Sequence, residues 1–401
     1  MKLNKILALL SLTANSTAHL HHQDDELDWT KEQLDELEAK WGQEARNGPL
    51  KPPHAILWSM TDSFRSGDSL CLIDPSKRFD IAIVGAPFDT AVGFRPGARF
   101  GPRAIRQASS RQIASRGFNT RAGINPYLDW AKVIDCGDIP ITPFDNDIAR
   151  KQMSLAFEEL GRHKTVSNRI SKPRLVTLGG DHSLALPALR ALNKIYDGPV
   201  RVLHFDAHLD TWSPTAYPSY WGATHFTHGS MFWMAHQEGL LSNSSSKPSV
   251  HAGLRCRLGG IDWTDYEDDA SQNWVRIAAD EVDRSGTDGI IKHIMDTLGT
   301  DDPVYLSIDI DVLDPSIAPG TGTPEPGGWT SRELIRILRG IEGLNLVGAD
   351  LVEVSPVYQN QGEETTMAAA QIIFEVLTSM VIRESDHKSK EVYTVPGKGE
   401  L

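Results

Sequence analysis

Three apolar runs in this chain each end in residues that can bind cations. Leu175–Leu178 leads into Gly179-Gly180-Asp181-His182-Ser183, Val200–Phe205 into Asp206-Ala207-His208-Leu209-Asp210, and Val304–Ile308 into Asp309-Ile310-Asp311. In extended backbone, residues two apart project the same way, so Asp206, His208 and Asp210 are expected to converge, as are Asp309 and Asp311. Two imidazoles and four carboxylates brought together would repel and raise one another's pKa values, and two divalent cations resolve that repulsion. Mixed carboxylate and imidazole ligation suits Mn²⁺ and similar ions, and the lack of thiolates disfavours a structural zinc site. Taken singly, each residue has a plainer reading. Asp311 and Asp314 could be turn formers before Pro315, and His182 a capping or core histidine. Their joint placement after three strands favours a metal centre.

The elements that must position these residues follow from hydrophobic periodicity. From about Arg78, short apolar runs alternate with helical periods. Ile81–Val84 precedes a helix after Pro102, Val133–Ile134 precedes Ile148–Leu160, and Leu175–Leu178 precedes Leu184–Leu192. Val200–Phe205 follows, then Val304–Ile308 with Arg332–Ile341, and Leu346–Val347 with Met367–Ile382. This alternation predicts an α/β fold with three α/β/α layers and a central, mostly parallel sheet. In such sheets ligands bind beyond the carboxyl ends of the strands, where the polar clusters lie.

The 401 residues are 40% hydrophobic and 23% charged, ample for a folded core. A net charge of −13 argues against nucleic-acid and anionic-membrane partners. Lys2 and Lys5 precede the apolar run 6–12, with small Ser16 and Ala18 placed as a cleavage site. That is the layout of a secretory signal peptide over 1–18, which implies a secreted or secretory-pathway protein. Its apolar core is too short to span a bilayer, and no other segment is read as approaching that length. Residues 19–77 form an N-terminal extension, with His19, His21 and His22 close together and a helical period over 29–41. A catalytic domain over 78–385 and a Lys- and Glu-rich tail over 386–401 complete the division. Cys71, Cys136 and Cys256 form no disulfide framework, so each defaults to a small buried hydrophobe, with one bridge or none left open. Asn243-Ser244-Ser245 is an N-glycosylation acceptor sequence that matters if the chain is secreted.

These residues also carry a resemblance. GGDHS at 179–183, DAHLD at 206–210, SIDIDVLDP at 307–315 and APGTGTPEPGG at 318–328 resemble the arginase and agmatinase family of ureohydrolases. GAPFD at 85–89, GFRPGARFGPRAIR at 93–106, CGDIP at 136–140 and DLVEVSP at 350–356 are similar as well, so the likeness spans about 78–385. It implies two Mn²⁺ ions per subunit, one held by His182, Asp206, Asp210 and Asp309, the other by Asp206, His208, Asp309 and Asp311. By the same resemblance a hydroxide between the ions attacks a guanidinium carbon, and Asp210 steadies it. Glu353 pairs with the guanidinium, and the assembly is a trimer or hexamer. His228, in a His-Gly step, resembles the proton-shuttling histidine, with His225 a nearby competitor.

The substrate is less directly read. After the DAHLD motif the chain has Thr211-Trp212-Ser213-Pro214, without the Asn that arginases resemble one another in having there. Pro324–Gly328 is closer to the agmatinase branch, so agmatine, cleaved to putrescine and urea, is the expected substrate. A guanidino acid such as 4-guanidinobutanoate is the rival, since Trp212, Tyr217, Tyr220 and Trp221 could line a tailored pocket. Trp329 departs from the aliphatic residue usual after the double glycine. Arg95, Arg99 and Arg103 could alone make an anion loop; within the resemblance they help build the fold. Other classes are a metal-dependent deacylase on the same fold and a non-catalytic metal-binding scaffold.

Overall fold

A computed structural model of the chain describes residues 71–72, 74, 76–214, 226–259 and 261–385. The expected signal segment, the histidines at 19, 21 and 22, the helical period over 29–41 and the tail from 386 lie outside these residues. So do Tyr217, Tyr220, Trp221 and His225.

The sheet is built from β1 (Ile81–Gly85), β2 (Val133–Asp138), β3 (Arg174–Leu178), β4 (Arg201–Phe205), β5 (Ser249–Leu254), β6 (Trp274–Ala278), β7 (Pro303–Asp309) and β8 (Asn345–Val352). The order is β2-β1-β3-β8-β7-β4-β5-β6, and every pairing is parallel. Helices cover it: α1 (Gly101–Ala108), α2 (Asn146–Gly161), α3 (Ala185–Tyr196), α4 (Met231–Gln237), α5 (Thr264–Ser271), α6 (Glu281–Leu298), α7 (Ser331–Gly340) and α8 (Glu364–Ile382). α2, α3 and α4 pack together as one group, and α1, α6, α7 and α8 as another. Strands covered on both faces are apolar along most of their length, which is why β1 reads Ile-Ala-Ile-Val-Gly and is buried throughout.

The periodicity missed β5, β6, α4, α5 and α6. β5 carries a histidine and a glycine among its apolar residues, and α6 contains two glycines, so neither shows a clean period. The expectation that no further segment reaches membrane length is also corrected. α8 has 19 residues and is apolar enough to cross a bilayer, yet 72% of its apolar stretch is buried. It is a core helix packed on β8, α1 and α7.

Trp329 acquires a reason. Its indole is buried against Phe205, ring centroids 6.1 Å apart, and donates Nε1–H to the Ala279 carbonyl at 2.9 Å. Its backbone N–H donates to Val312 at 3.1 Å and its carbonyl accepts from Asp314 at 2.9 Å. The large side chain therefore props the turn that carries Asp311 from below.

The cysteine default fails for two of the three. Cys71 and Cys136 form a disulfide across 65 positions, tying β2 to the segment before β1, while Cys256 is unpaired. Closing a loop of that length removes on the order of 4 kcal/mol of unfolded-state freedom in the chain-entropy account. Cys71→Ser is expected to lower stability by up to about 4 kcal/mol, read as a fall in denaturant midpoint. Reductant should reproduce the fall in the parent protein; an unchanged midpoint in both would count against the bridge.

Candidate metal centre and active site

The first ligand loop depends on a close backbone approach. A Cβ at Gly180 would overlap the backbone of Phe88, so only glycine lets the chain pass there. Asp181 N–H then donates to the Phe88 carbonyl at 2.7 Å, and Asp181 caps the short turn His182–Leu184. That turn delivers His182, wholly buried, beyond the end of β3.

The second and third loops correct the reason given for convergence. Asp206 to Asp210 is not extended: Asp206 Oδ1 accepts the His208 N–H at 2.5 Å, and Asp210 has φ +55°. Likewise Asp309 caps the short turn Ile310–Val312, accepting the Asp311 N–H at 2.8 Å. Turns, not strand alternation, bring these carboxylates together. Asp210 and Glu353, with φ +59°, both hold the left-handed conformation that non-glycine residues adopt at a cost.

The result is two clusters sharing Asp206. His182 Nδ1 lies 3.2 Å from Asp206 Oδ2, 3.0 Å from Asp210 Oδ2 and 3.4 Å from Asp309 Oδ2. His208 Nδ1 lies 3.2 Å from Asp206 Oδ1 and 3.0 Å from Asp311 Oδ2. All six expected ligands are thus gathered at the carboxyl ends of β3, β4 and β7.

Ser307 Oγ donates to Asp350 Oδ1 at 2.8 Å, so it accepts Nε2–H from His182 at 2.7 Å. Tyr305 fixes the other Asp350 oxygen at 2.5 Å. With Nε2 so occupied, Nδ1 faces three carboxylate oxygens without making a hydrogen bond of good geometry to any described residue, which is the position a cation would take between them. Burial would push the His182 pKa down, yet Asp206, Asp210 and Asp309 hold it well up, a demand for positive charge at Nδ1. Burial, with Asp311 and Asp206 adding, pushes Asp309 well above the usual carboxylate range, and burial beside Asp206 takes Asp311 to about 6. Divalent cations between these groups meet both demands, and the oxygen-and-imidazole donor set fits Mn²⁺.

Several supporting residues went unread in the sequence. His204 lies among the cation-binding groups but is not free to ligate, because Nε2 contacts Asp206 Oδ2 at 2.9 Å and Nδ1 contacts His251 Nδ1 at 2.7 Å. Burial pushes His204 down to about 3 despite Asp206. Glu325 Oε1 stands 3.8 Å from His208 Nε2. A polar residue inside an otherwise apolar strand was the available signal for His204 and Ser307.

Glu353 sits beside the cluster, buried, its Oε1 accepting the His182 backbone N–H at 2.9 Å and contacting His228 Nδ1 at 3.1 Å. Gly93 N–H donates to His228 Nε2 at 3.0 Å, so Nδ1 carries the hydrogen toward Glu353. Burial pushes His228 down, but Glu353, Asp210 and Asp181 carry it up to about 9, while the Gly93 N–H, which needs a lone pair, works the other way. Trp212 is half-buried and its indole N–H donates to Asp265 Oδ2 at 3.0 Å, anchoring it to α5. Arg99 is paired with Asp89, which also accepts the Gly97 N–H at 2.7 Å, so that arginine builds its loop.

The fold and the paired cation-binding clusters are those of a family of hydrolases. The chain matches the Arginase family over residues 79–378. It is 49% identical over 321 residues to "Putative agmatinase 1" of Schizosaccharomyces pombe, covering 78% of this chain and 79% of that one. Among solved structures it superposes on the proclavaminate amidino hydrolase of Streptomyces clavuligerus with TM-score 0.66 at 36% identity, covering 77% of this chain and 95% of the other. A hypothetical agmatinase of Burkholderia thailandensis gives TM-score 0.65 at 34% identity, with 78% and 87% covered. The chain belongs to the arginase family. Within it, the chain is an agmatinase-like hydrolase.

Proposed function

We propose that the protein hydrolyses agmatine to putrescine and urea, using two Mn²⁺ ions held by His182, Asp206, Asp210, Asp309, Asp311 and His208. The observation that carries this reading is His182 Nδ1 facing three buried carboxylates at 3.0 to 3.4 Å, with Glu353 Oε1 accepting the His182 backbone N–H at 2.9 Å. Two divalent cations, when bound, supply the Lewis acidity that makes hydroxide available from water near neutral pH.

The chain's own residues do the rest. Glu353 binds the guanidinium through Oε2, since its Oε1 is engaged by the His182 N–H and His228. Asp210, held by its left-handed backbone, steadies the nucleophile. As the new C–O bond forms and the C–N bond to the alkyl amine breaks, the departing nitrogen takes a proton. His228 delivers it: Nε2 gives up the Gly93 contact, takes up the proton that water releases on becoming hydroxide, and passes it to the departing nitrogen, which leaves the imidazole neutral again. Trp212, held by Asp265, borders the alkyl end of the substrate.

Agmatine is favoured by the agmatinase names of the relatives. A guanidino acid is the second reading, favoured by the likeness to the proclavaminate amidino hydrolase. The deciding experiment measures urea released by the Mn²⁺-loaded protein from agmatine, 4-guanidinobutanoate and arginine. Agmatine is expected to give the highest kcat/KM. Preference for the acid would install the second reading, and no urea from any compound would end both.

A trimer or hexamer is the proposed assembly, testable by light scattering. A secretory-pathway location is proposed from the disulfide and from the exposed Asn243 of the acceptor sequence. A shift in mass on glycosidase treatment of the secreted protein is the expected sign, and a wholly reduced, unglycosylated native protein would refute it.

A further inference from the structure

Beneath the ligands runs a polar row that the proposed reaction does not use. Strand register aligns Asp350 of β8 with Ser307 of β7, Ser307 with His204 of β4, His204 with His251 of β5, and His251 with Arg276 of β6. Paired positions share a face of a sheet, so these side chains form one line across five strands. The Asp350–Ser307 half fixes His182, as described above. The other half leads away from Asp206 to α5.

That half is continuous. His204 bridges Asp206 Oδ2 at 2.9 Å and His251 Nδ1 at 2.7 Å. His251 Nε2 lies 3.1 Å from Asp269 Oδ1, and Arg276 Nη1 donates to Asp269 Oδ2 at 2.7 Å. Asp269 Oδ1 also accepts from Thr211 Oγ1 at 2.8 Å, so the same carboxylate steadies the residue following Asp210. His204, His251 and Asp269 are wholly buried, and His251 is stacked on Trp274 with centroids 3.9 Å apart. Burying two imidazoles and a carboxylate costs free energy that aliphatic residues at these positions would avoid.

Asp206, His204, His251 and Asp269 are thus joined by three contacts of 2.9, 2.7 and 3.1 Å, each ring using both of its nitrogens, so the rotamer of His204 is fixed by His251 and that of His251 by Asp269. Asp206 is the carboxylate common to both cation clusters.

We propose that Asp269, acting through His251 and His204, positions Asp206 for the two cations, so that metal affinity is set from α5. This rests on the metal reading above, and His251 and Asp269 are positioning residues rather than ligands. Outer partners of metal ligands typically control affinity by about 10- to 100-fold.

The test is Mn²⁺ binding to the full chain, followed by the electron paramagnetic resonance signal of free Mn²⁺. His251→Phe keeps the stack on Trp274 and removes both links. Asp269→Asn keeps the size and removes the charge. Each is expected to weaken Mn²⁺ binding about 10- to 100-fold while the metal-free protein keeps its circular dichroism. His251→Asn, whose amide occupies the Nδ1 position, should recover part of the loss. If His251→Phe does not fold, Asp269→Asn decides alone. Parental Mn²⁺ affinity in the folded variants overturns the proposal, as does equal loss in His251→Asn and His251→Phe. Urea release by the parent protein is read separately. Activity with unaltered variant affinity leaves the hydrolase reading standing and removes this one. Weakened variant binding without parental urea release does the reverse.

Discussion

Asp309→Ala is expected to lose both bound Mn²⁺ and turnover, with kcat/KM down by about 10³-fold or more. The magnitude is that of several kcal/mol of charge stabilisation at the reacting centre. Two contacts make the position so sensitive. Asp309 Oδ2 faces His182 Nδ1 at 3.4 Å, and Oδ1 accepts the Asp311 N–H at 2.8 Å, capping the turn that carries Asp311. Alanine removes a carboxylate from one cation position and loosens a ligand of the other. Asp309→Asn separates the two effects, since an amide oxygen still caps the turn but carries no charge. It is expected to lose metal nearly as completely while keeping fold. Without metal, four carboxylates crowd this region, so Asp309→Asn should leave the metal-free protein no less stable than the parent. Metal content by mass spectrometry, urea release and thermal unfolding check the three statements. An Asp309→Ala protein that keeps two Mn²⁺ and full activity would falsify the ligand assignment.

Glu353→Gln should have the opposite signature, with metal retained and substrate use lost. Among the described residues, Glu353 touches the cluster through the His182 backbone N–H alone, which a glutamine oxygen also accepts. What disappears is the buried negative charge that the proposed function sets against the guanidinium. Removing one partner of a buried charge pair costs about 2–5 kcal/mol, which corresponds to a loss of roughly 30- to 4,000-fold in kcat/KM. The loss should be largest for guanidinium-bearing substrates, measured as urea released with Mn²⁺ saturating. Stripping of the metals by this substitution would show that Glu353 belongs to the metal centre instead.

The contrast between these residues shows what could be read along the chain. Asp206, His208 and Asp210 announce themselves by type and spacing after an apolar run, and so do Asp309 and Asp311. The strands that carry them were legible because burial on both faces demands mostly apolar residues. The local geometry was not. Convergence comes from an aspartate bonding its own turn and from a left-handed Asp210, conformations that no periodicity encodes. β5 and β6 escaped because a histidine, a glycine and an arginine interrupt them, and the histidine and the arginine belong to the polar row beneath the site.

What the amino-acid order determined by itself is the alternation of strands and helices and the chemical kind of the six ligands. Both depend on neighbours a few positions away. The pairing of His204 with His251, of Cys71 with Cys136 and of Glu353 with His228 was decided only by the tertiary structure. Each joins residues dozens of positions apart through strand order and register, and those arise from packing the whole sheet rather than from any one segment of it.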